Sequence, residues 1–414
     1  MCYSSMRHTS VILLLSASLL ACDGVLGIPD YTFDKTISCE DGRCECLPGH
    51  DSCDGTWANG CETSTADDAS NCGACSHPCL GGECKEGSCM PATLVTAPRP
   101  TGGEPCINPD PADPRRTVGD PVARDGFLYV TYLSACPRWH LERLPITGNL
   151  AFHTLTLLDS SSRAALASFI PSTDGSEGYL LGESSVLRVG LDPSAAATPV
   201  SPWLGAMTSG DLALAGRCLY ATVEGSTSKT RQLMRLDLDN HSSEALKPSI
   251  FALAGDGHRV IYAEEGAAED DSDKLYTLDE SCGNPTSLLA EGKVKALTVD
   301  SVTGAAYVAI RGLSSSAGNV PLYLISASST LEQTDLYVAS SVDGLAARDG
   351  DVYWQSRSGG TIGRAAAGNP EELAASLHMT SRLALDEHRI YWWDEMVEAP
   401  HDRSIVAVAR APHR

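Results

Sequence analysis

The sequence predicts an all-β protein in which a seven-bladed β-propeller follows a small disulfide-rich module. Three observations carry this prediction. A unit of short apolar strands with one tyrosine recurs from about residue 120, its clearest copy is residues 381–410, and ten of the 16 cysteines lie between Cys39 and Cys89. A chain of 414 residues is long enough for one repeat architecture and an accessory module.

The recurring tyrosine sets the number of blades. Its positions are Tyr129, Tyr179, Tyr220, Tyr262, Tyr307, Tyr353 and Tyr391, with spacings of 50, 41, 42, 45, 46 and 38 residues. These spacings are close to the length of a four-stranded blade, and self-similarity at such a period is typical of radial repetition. Seven tyrosines therefore predict seven blades, although the weak copy around Tyr179 leaves six or eight blades open.

Each copy begins with a strand of small apolar residues. These segments are 122–123, 212–214, 251–253, 296–298, 345–347 and 383–385. Small residues suit an innermost strand because blades crowd near the axis of the ring. The second strand is apolar at consecutive positions, as expected for a sheet covered on both faces. We therefore expect Trp354, Trp392 and Trp393 to pack between blades, with a partner surface as the alternative.

The last copy stops after its third strand, at residues 405–409. An incomplete blade would leave an exposed strand edge. Residues 93–97 (TLVTA) lie directly before the first blade. We expect this segment to pair with residues 405–409 and close the ring.

The first 21 residues read as a signal peptide, followed by a tether at 22–38, a cysteine-rich module at 39–89 and the propeller at 90–414. Arg7 precedes an apolar run at residues 11–20, which is too short to span a bilayer. The sequence LLAC at residues 19–22 resembles the lipobox of bacterial lipoproteins. That resemblance implies a lipid-modified Cys22 and a location in the bacterial cell envelope, facing the periplasm or the exterior. An ordinary signal peptide with Cys22 in a disulfide is the alternative.

The module at residues 39–89 has few aliphatic residues and frequent glycine, so covalent bridges must hold it together. This cysteine density predicts an oxidising compartment. Ten cysteines allow five disulfides, whose pairing the sequence does not decide. The segments CDGTWANGCE (53–62) and NCGACSHPC (71–79) resemble cysteine-rich modules of large secreted bacterial surface proteins. A redox pair at Cys72 and Cys75 and a zinc site with His77 are alternatives.

Four further cysteines lie in the propeller region. We expect Cys106 to pair with Cys136, and Cys218 with Cys282, because each pair could link adjacent segments within bridging distance. The dipeptide Tyr353-Trp354 and the sequence YWWD at 391–394 resemble the YWTD repeats of lipoprotein-receptor propellers. Those propellers have six blades, and the Thr-Asp half is mostly missing here, so the resemblance implies the fold and not the receptor function.

Charge and motifs narrow the function classes. Thirty Lys and Arg residues against 53 Asp and Glu give a net charge of −23, which opposes phosphate backbones and argues against a nucleic-acid partner. The sequence contains no Gly-x-Ser-x-Gly, His-Glu-x-x-His or phosphate-loop motif. It favours a binding or display protein over an enzyme without excluding the enzyme, and a purely structural spacer is a third class.

Two regions are candidate sites. Asp120, Asp211 and Asp343 precede inner strands and could meet at the channel mouth. There they would be either turn carboxylates or the metal ligands of a lactonase-like or lyase-like enzyme. No cofactor is expected, although calcium is compatible with these carboxylates or with the acidic loop.

The second region is the set of long loops between second and third strands, which project from one rim. We expect this rim to bind a protein or glycan at the cell surface. The residues expected to form this partner site are Glu264, Glu265, Asp270, Asp271 and Asp394 for an acidic field, and Trp139 and His140 for aromatic contacts. A solvated acidic loop, and a Trp139 packed beneath its own loop, are the alternatives.

Overall fold

The computed structural model describes most of the chain between residues 36 and 410. It leaves out 41–42, 57–59, 97–117, 134–137, 148–150, 160–167, 183–184, 192–196, 203–209, 225–230, 267–271, 289–291, 313–317, 326–329 and 396–402. The segment predicted to be a signal peptide, Cys22, Cys106 and Cys136 therefore lie outside the described residues. The described part consists of strands and turns, and it contains no helix of the length and apolarity that crossing a membrane requires.

The module contains six short strands, which pair in sequence as three hairpins. They are β1 (Ile37–Glu40), β2 (Arg43–Cys46), β3 (His50–Asp51), β4 (Thr63–Ser64), β5 (Cys84–Lys85) and β6 (Ser88–Cys89). A seventh strand, β7 (Ala92–Thr96), leads to the propeller.

Seven sheets follow, each of four strands or more. Blade 1 contains β8 (Val122–Arg124), β9 (Phe127–Leu133), β10 (Arg138–Pro145) and β11 (His153–Asp159). Blade 2 contains β12 (Phe169–Pro171), β13 (Glu177–Leu181), β14 (Ser185–Gly190) and β15 (Thr198–Pro202). Blade 3 contains β16 (Leu212–Ala215), β17 (Cys218–Glu224), β18 (Arg231–Asp237) and β19 (Ser243–Lys247). Blade 4 contains β20 (Ile250–Gly255), β21 (Val260–Glu264), β22 (Lys274–Leu278) and β23 (Thr286–Leu288).

The remaining blades follow the same order. Blade 5 contains β24 (Lys293–Val299), β25 (Ala306–Arg311), β26 (Val320–Ile325) and β27 (Leu331–Val338). Blade 6 contains β28 (Gly344–Arg348), β29 (Asp351–Ser356), β30 (Thr361–Arg364) and β32 (Glu371–Ala374), while β31 (Ala366–Ala367) pairs with β27 of blade 5. Blade 7 contains β33 (Ala384–Leu385), β34 (Arg389–Glu395) and β35 (Arg403–Ala409). The predicted all-β, seven-bladed propeller is confirmed, and every predicted tyrosine lies in the second strand of its blade.

The ring closes as the incomplete last copy predicts. Strand β7 pairs antiparallel with β35, placing Val95 opposite Ile405 and Thr93 opposite Val406. The fourth strand of blade 7 thus comes from the N-terminal side of the propeller. Closure removes the strand edge that β35 would otherwise expose.

The core lies between neighbouring blades and not within a single sheet. Trp392 and Trp393 have no exposed surface, and Trp354 is 3% exposed. Trp354 packs in the cluster between blades 5 and 6, while Trp393 packs against residues of blade 1, including Tyr132. The prediction that these tryptophans are packing residues is confirmed.

The two faces of the propeller carry different connections. We call the face with the first-to-second turns, such as Asp125-Gly126 and Asp349-Gly350, the smooth rim. Both turns have positive φ at both residues, which is typical of two-residue hairpins. The third-to-fourth connections lie on the same face, since Ile146 N–H donates to Gly126 O at 2.9 Å. The opposite face carries the second-to-third loops, and we call it the loop rim.

Disulfides hold the module, as its composition predicts. The described bridges are Cys46–Cys61, Cys53–Cys75, Cys72–Cys84 and Cys79–Cys89. Since Cys72 and Cys75 bond to different partners, they do not form the redox pair considered as an alternative. The pairing brings distant parts of a segment with little apolar core into one unit.

The module packs on the smooth rim beside blade 7. His77 hydrogen-bonds through Nε2 with Arg410 O at 2.7 Å, and Arg389 Nη2 donates to Leu80 O at 2.8 Å. Cys72, Cys79 and Cys89 belong to the same apolar cluster as Ile390 and Val408 of blade 7. The loop rim is therefore on the opposite side of the propeller from the module.

Asp300 joins the turn of blade 5 to the turn of blade 6. Its buried carboxylate accepts N–H groups of Val302 at 2.9 Å, Thr303 at 3.2 Å and, in blade 6, Gly350 at 2.7 Å. Burial acts to raise the pKa of Asp300, but the three backbone donors outweigh burial and lower the pKa. The ionised form thus stabilises the contact between the two blades.

Replacing Asp300 with asparagine is expected to lower the free energy of unfolding at pH 7 by about 1–3 kcal/mol, because the amide NH₂ must face a backbone donor. A lowered folded-state pKa supplies stability above the unfolded value of about 3.9, which is lost as pH falls through the folded value. The difference between wild type and variant should therefore narrow in acid. Urea unfolding between pH 7 and pH 3 measures this difference in the free energy of unfolding. Asp239→Asn, at an exposed carboxylate, is the control. A stability difference between wild type and Asp300→Asn that does not change with pH would contradict the role of the ionised Asp300 carboxylate.

Candidate functional site

A central channel of about 550 Å³ runs along the axis of the ring. Its wall consists of inner-strand residues such as Ala123, Leu214 and Ala346, which are small or aliphatic. Charged and titratable side chains lie at its ends: Asp120, Asp211 and Arg382 at the loop rim, and Arg124, Asp125, Asp256, His258 and Arg348 at the smooth rim. Polar chemistry in the channel is therefore confined to its mouths.

Arg382 crosses the loop-rim mouth and brings two of the predicted carboxylates together. Its Nη2 donates to Asp211 Oδ2 of blade 3 at 3.0 Å, and its backbone N–H donates to Asp120 Oδ1 of blade 1 at 2.7 Å. Its Nε lies 3.7 Å from Asp120 Oδ2. The negative charge of Asp211 raises the pKa of Arg382, opposing burial, and Asp120 adds to the effect.

The third predicted carboxylate, Asp343, has an arginine of its own. Arg357 N–H donates to Asp343 Oδ2 at 2.9 Å, and Arg357 Nε lies 3.4 Å from Oδ1. Arg231 adds a second cation near Asp211, at 3.8 Å. The structure thus places Asp120, Asp211 and Asp343 in ion pairs with arginine instead of gathering them as three free cation ligands.

Sequence reasoning missed Arg382, although its position directly before an inner strand was visible. Residues just before the inner strands lie near the axis, and Asp120, Asp211 and Arg382 line the channel there, whereas Asp343 does not. Position directly before an inner strand was the reason for selecting Asp120, Asp211 and Asp343, and the same reason applies to Arg382.

Potential metal ligands cluster in two places within the described part of the chain: Cys72, Cys79 and Cys89, and Cys218, Asp237 and Cys282. The five cysteines are all disulfide-bonded. A disulfide sulfur is not the thiolate that binds metal. Neither cluster therefore supports the zinc site considered for the module.

The acidic residues predicted for the loop rim have several different environments. Glu265 is exposed, and Glu264, at the end of β21, is half-buried. Burial, and then a hydrogen bond with Glu264, raise the pKa of Tyr276. Asp270 and Asp271 lie outside the described residues. The neighbouring Asp273 is buried, and its Oδ1 lies 3.2 Å from Lys293 Nζ in an ion pair. Asp273 is therefore a structural residue.

Asp394 is half-buried and not a free rim carboxylate. It accepts the N–H of His378 at 2.7 Å, across the connection that leads to β33. Burial raises the pKa of Asp394, and the hydrogen bond from His378 opposes that effect. Its place at the rim is as predicted, but its carboxylate also holds a local connection together.

The prediction of exposed aromatic contacts at Trp139 and His140 requires correction. Trp139 is 4% exposed and packs with Leu141 and Leu155 in the core next to blade 2. His140 stacks on Tyr132 with ring centroids 4.7 Å apart. Both residues belong to strand β10, and neighbouring elements cover their rings, which the sequence pattern alone did not reveal.

A disulfide joins Cys218 of β17 to Cys282, with the Cα atoms 5.8 Å apart. Cys282 lies in the third-to-fourth connection of blade 4, so the bond links blades 3 and 4 as proposed from the sequence. The other proposed pair, Cys106 and Cys136, lies outside the described residues.

Solved structures with similar folds include lyases and peptidases. An oligogalacturonate lyase in complex with manganese is 13% identical, with a TM-score of 0.53 over 78% of this chain and 98% of that one. An oligogalacturonate lyase from Vibrio parahaemolyticus is 11% identical, with a TM-score of 0.49 over 71% and 90%. An acylaminoacyl peptidase in complex with Z-Gly-Gly-Phe-chloromethyl ketone is 12% identical, with a TM-score of 0.47 over 72% and 52%.

No protein-family model matches the chain. No curated protein matches it either. At identities this low, structural similarity shows the fold alone, because one fold hosts many functions. The comparisons therefore place the chain among β-propellers and assign it neither a substrate nor a reaction.

Proposed function

We propose that the chain is a lipid-anchored binding protein of the bacterial cell envelope, which presents the loop rim of its propeller to a protein or glycan at the cell surface. Lipid modification at Cys22 would attach the chain to the membrane, and the module would connect the tether to the propeller. Membrane partitioning of a Cys22→Ser variant tests the anchor.

The position of the module is the observation that carries this proposal. The module contacts the smooth rim through His77 and Arg389, and β7 enters the propeller on that same side. The loop rim thus faces away from the module, which supports its use as the partner face. Loops on a rigid scaffold commonly carry binding residues.

Charge suggests the kind of partner. The chain has a net charge of −23, and its densest acidic cluster in the sequence begins at Glu264, which ends β21 at the loop rim. An acidic face steers cationic partners and increases their association rate. A basic protein, or a glycan with amino groups, therefore fits this rim better than an acidic polymer.

Neutralising Glu264, Glu265, Asp270 and Asp271 to Gln or Asn is expected to slow association with the captured partner by roughly tenfold at low salt, since steering contributes factors of about 10 or more. The difference should shrink at physiological ionic strength, where the Debye length is about 8 Å. Surface plasmon resonance at two salt concentrations measures the association rates of wild type and variant, using a partner captured from envelope extracts.

The control for this experiment removes four exposed carboxylates elsewhere: Glu83 of the module and Asp239, Glu280 and Glu387 near the smooth rim. This variant changes the net charge equally but leaves the loop rim intact. Equal slowing by both variants would mean that total charge, and not the loop rim, steers the partner.

A metal-dependent propeller enzyme of lactonase or lyase type is the second candidate. The observation in its favour is that Asp120 and Asp211, from different blades, converge on one point at the channel mouth. Arg382 occupies that point in the structure, which favours the binding function. Calorimetric titration of the wild-type protein with Mn²⁺ or Ca²⁺ distinguishes the two, because saturable binding would support the enzyme.

A further inference from the structure

A second cavity, of about 420 Å³, opens on the smooth rim between blades 1 and 2. It is lined by Asp125, Phe127, Tyr129, Arg143, Gly175, Ser176 and Leu191. Its volume falls within the range of about 300–1,000 Å³ that is typical of small-molecule sites. The cavity lies away from the loop rim and borders the smooth-rim mouth of the channel, because Asp125 lines both.

Arg143 forms one wall and is held in place without using all its donors. Its guanidinium lies over the Phe127 ring at 4.8 Å from the centroid, and its Nη1 donates to Leu191 O at 2.8 Å. Its Nε is enclosed and has no hydrogen-bond partner among the described residues. Because Nε is enclosed, a ligand can contact only the outer Nη atoms, and a guanidinium held in this way is suited to binding a carboxylate through them.

Tyr129 contributes a second unused donor. Its side chain is 4% exposed, and no described residue hydrogen-bonds its hydroxyl. Burial raises the pKa of Tyr129, with smaller and opposing effects from the charges of Arg143 and Asp125. The hydroxyl therefore stays protonated at physiological pH. The hydroxyl lines the cavity and can donate to a ligand acceptor there.

Asp125 supplies the opposite charge at the cavity edge. Its side chain is 67% exposed, and its Oδ2 lies 3.5 Å from Arg124 Nε. Gly175 of blade 2 approaches it closely, since a Cβ at that position would lie only 2.9 Å from Oδ2. One small site thus presents a guanidinium, a hydroxyl donor and a carboxylate.

We propose that this cavity binds the zwitterionic head group of a free α-amino acid. The ligand carboxylate accepts hydrogen bonds from Arg143 and from the Tyr129 hydroxyl, and the ligand ammonium pairs with Asp125. The Phe127 ring and Leu191 border the space for a short side chain. This ligand matches both signs of charge at once, whereas a simple anion contacts only Arg143 and Tyr129 and makes no contact with Asp125, which then pairs with Arg124 alone.

Isothermal titration of the full chain with L-alanine, propionate and ethylamine tests this. Alanine is expected to bind at least about tenfold more tightly than either analogue, since each lacks one charged contact worth about 1.4 kcal/mol or more. Equal affinity for propionate, or no saturable binding of alanine, would overturn the proposal.

Variants locate the binding. Tyr129→Phe removes one hydroxyl and should weaken alanine binding by about fivefold to tenfold, in line with one hydrogen bond of about 1 kcal/mol. Asp125→Asn should remove the preference for alanine over propionate, and asparagine tolerates the positive φ of this turn. Tyr307→Phe, at the same position of blade 5, is the matched control and should bind like wild type. Unchanged affinity in Tyr129→Phe would show that alanine binds elsewhere.

Discussion

Replacing Arg410 with methionine is expected to lower the free energy of unfolding by about 3–5 kcal/mol, the usual cost of breaking a buried ion pair by removing one partner. Arg410 is 6% exposed and follows β35 directly. Its Nη2 lies 3.2 Å from Asp351 Oδ2, and its Nη1 lies 3.3 Å from Asp349 Oδ2, both in blade 6.

The same guanidinium also satisfies backbone carbonyl groups. Its Nη2 donates to Arg348 O at 3.0 Å, and its Nη1 donates to Asp386 O at 3.1 Å and Glu387 O at 3.2 Å. Methionine replaces the volume but none of these donors, so the carbonyl groups and the Asp351 carboxylate lose a buried partner. Blade 6, blade 7 and, through Arg410 O and His77, the module all meet at this residue.

Urea unfolding in oxidising buffer, followed by tryptophan fluorescence, measures the effect. Arg217→Met is the matched control, because Arg217 is 53% exposed and pairs with Asp237 and Asp239. An exposed pair of this kind contributes at most about 1 kcal/mol. Similar losses for the two variants would show that the Arg410 network is no stronger than a surface ion pair.

Replacing Trp393 with alanine is expected to cost about 3–5 kcal/mol, the range for removing a large aromatic side chain from a core. Trp393 has no exposed surface and lies at the junction of the last and first blades. Its ring meets Tyr132 of blade 1 edge to face, with centroids 6.3 Å apart. The loss should therefore weaken the junction that closes the ring.

Thermal and urea unfolding of Trp393→Ala measure this cost, and Val302→Ala provides the control at an apolar residue that is 52% exposed. A surface substitution of that kind changes stability by no more than about 0.5 kcal/mol. A loss below about 1 kcal/mol for Trp393→Ala would mean that the blades repack around the cavity, and would contradict a central role for this junction.

The repeat architecture was predictable because each blade depends on local patterns and on its immediate neighbours. The tyrosine spacing located all seven second strands, and the missing fourth strand after residue 409 indicated the role of residues 93–97. Blade 2 is the exception. Its inner strand, Phe169–Pro171, lacks the small apolar pattern of the other copies and was not predicted.

The candidate sites were only partly predictable, because a site depends on residues that are distant in the sequence. Position before an inner strand correctly brought Asp120 and Asp211 to the channel mouth, but the arginines that pair with them come from other segments. Trp139 was predicted as an aromatic contact of the loop rim, with packing beneath its own loop as the alternative, and packing against the neighbouring blade buries it.

The sequence by itself determined the strand content, the closing strand and the dependence of the module on disulfides, since strand periodicity and cysteine density act locally. It predicted seven blades but left six or eight open. Only the tertiary structure decided the cysteine pairing in the module, the docking of the module on the smooth rim, and the position of Arg382 across the channel. Those features depend on contacts such as His77 with Arg410 and Arg382 with Asp211, which span 333 and 171 residues of chain. No local pattern encodes contacts at such separations, because their geometry exists only once the blades have closed into a ring.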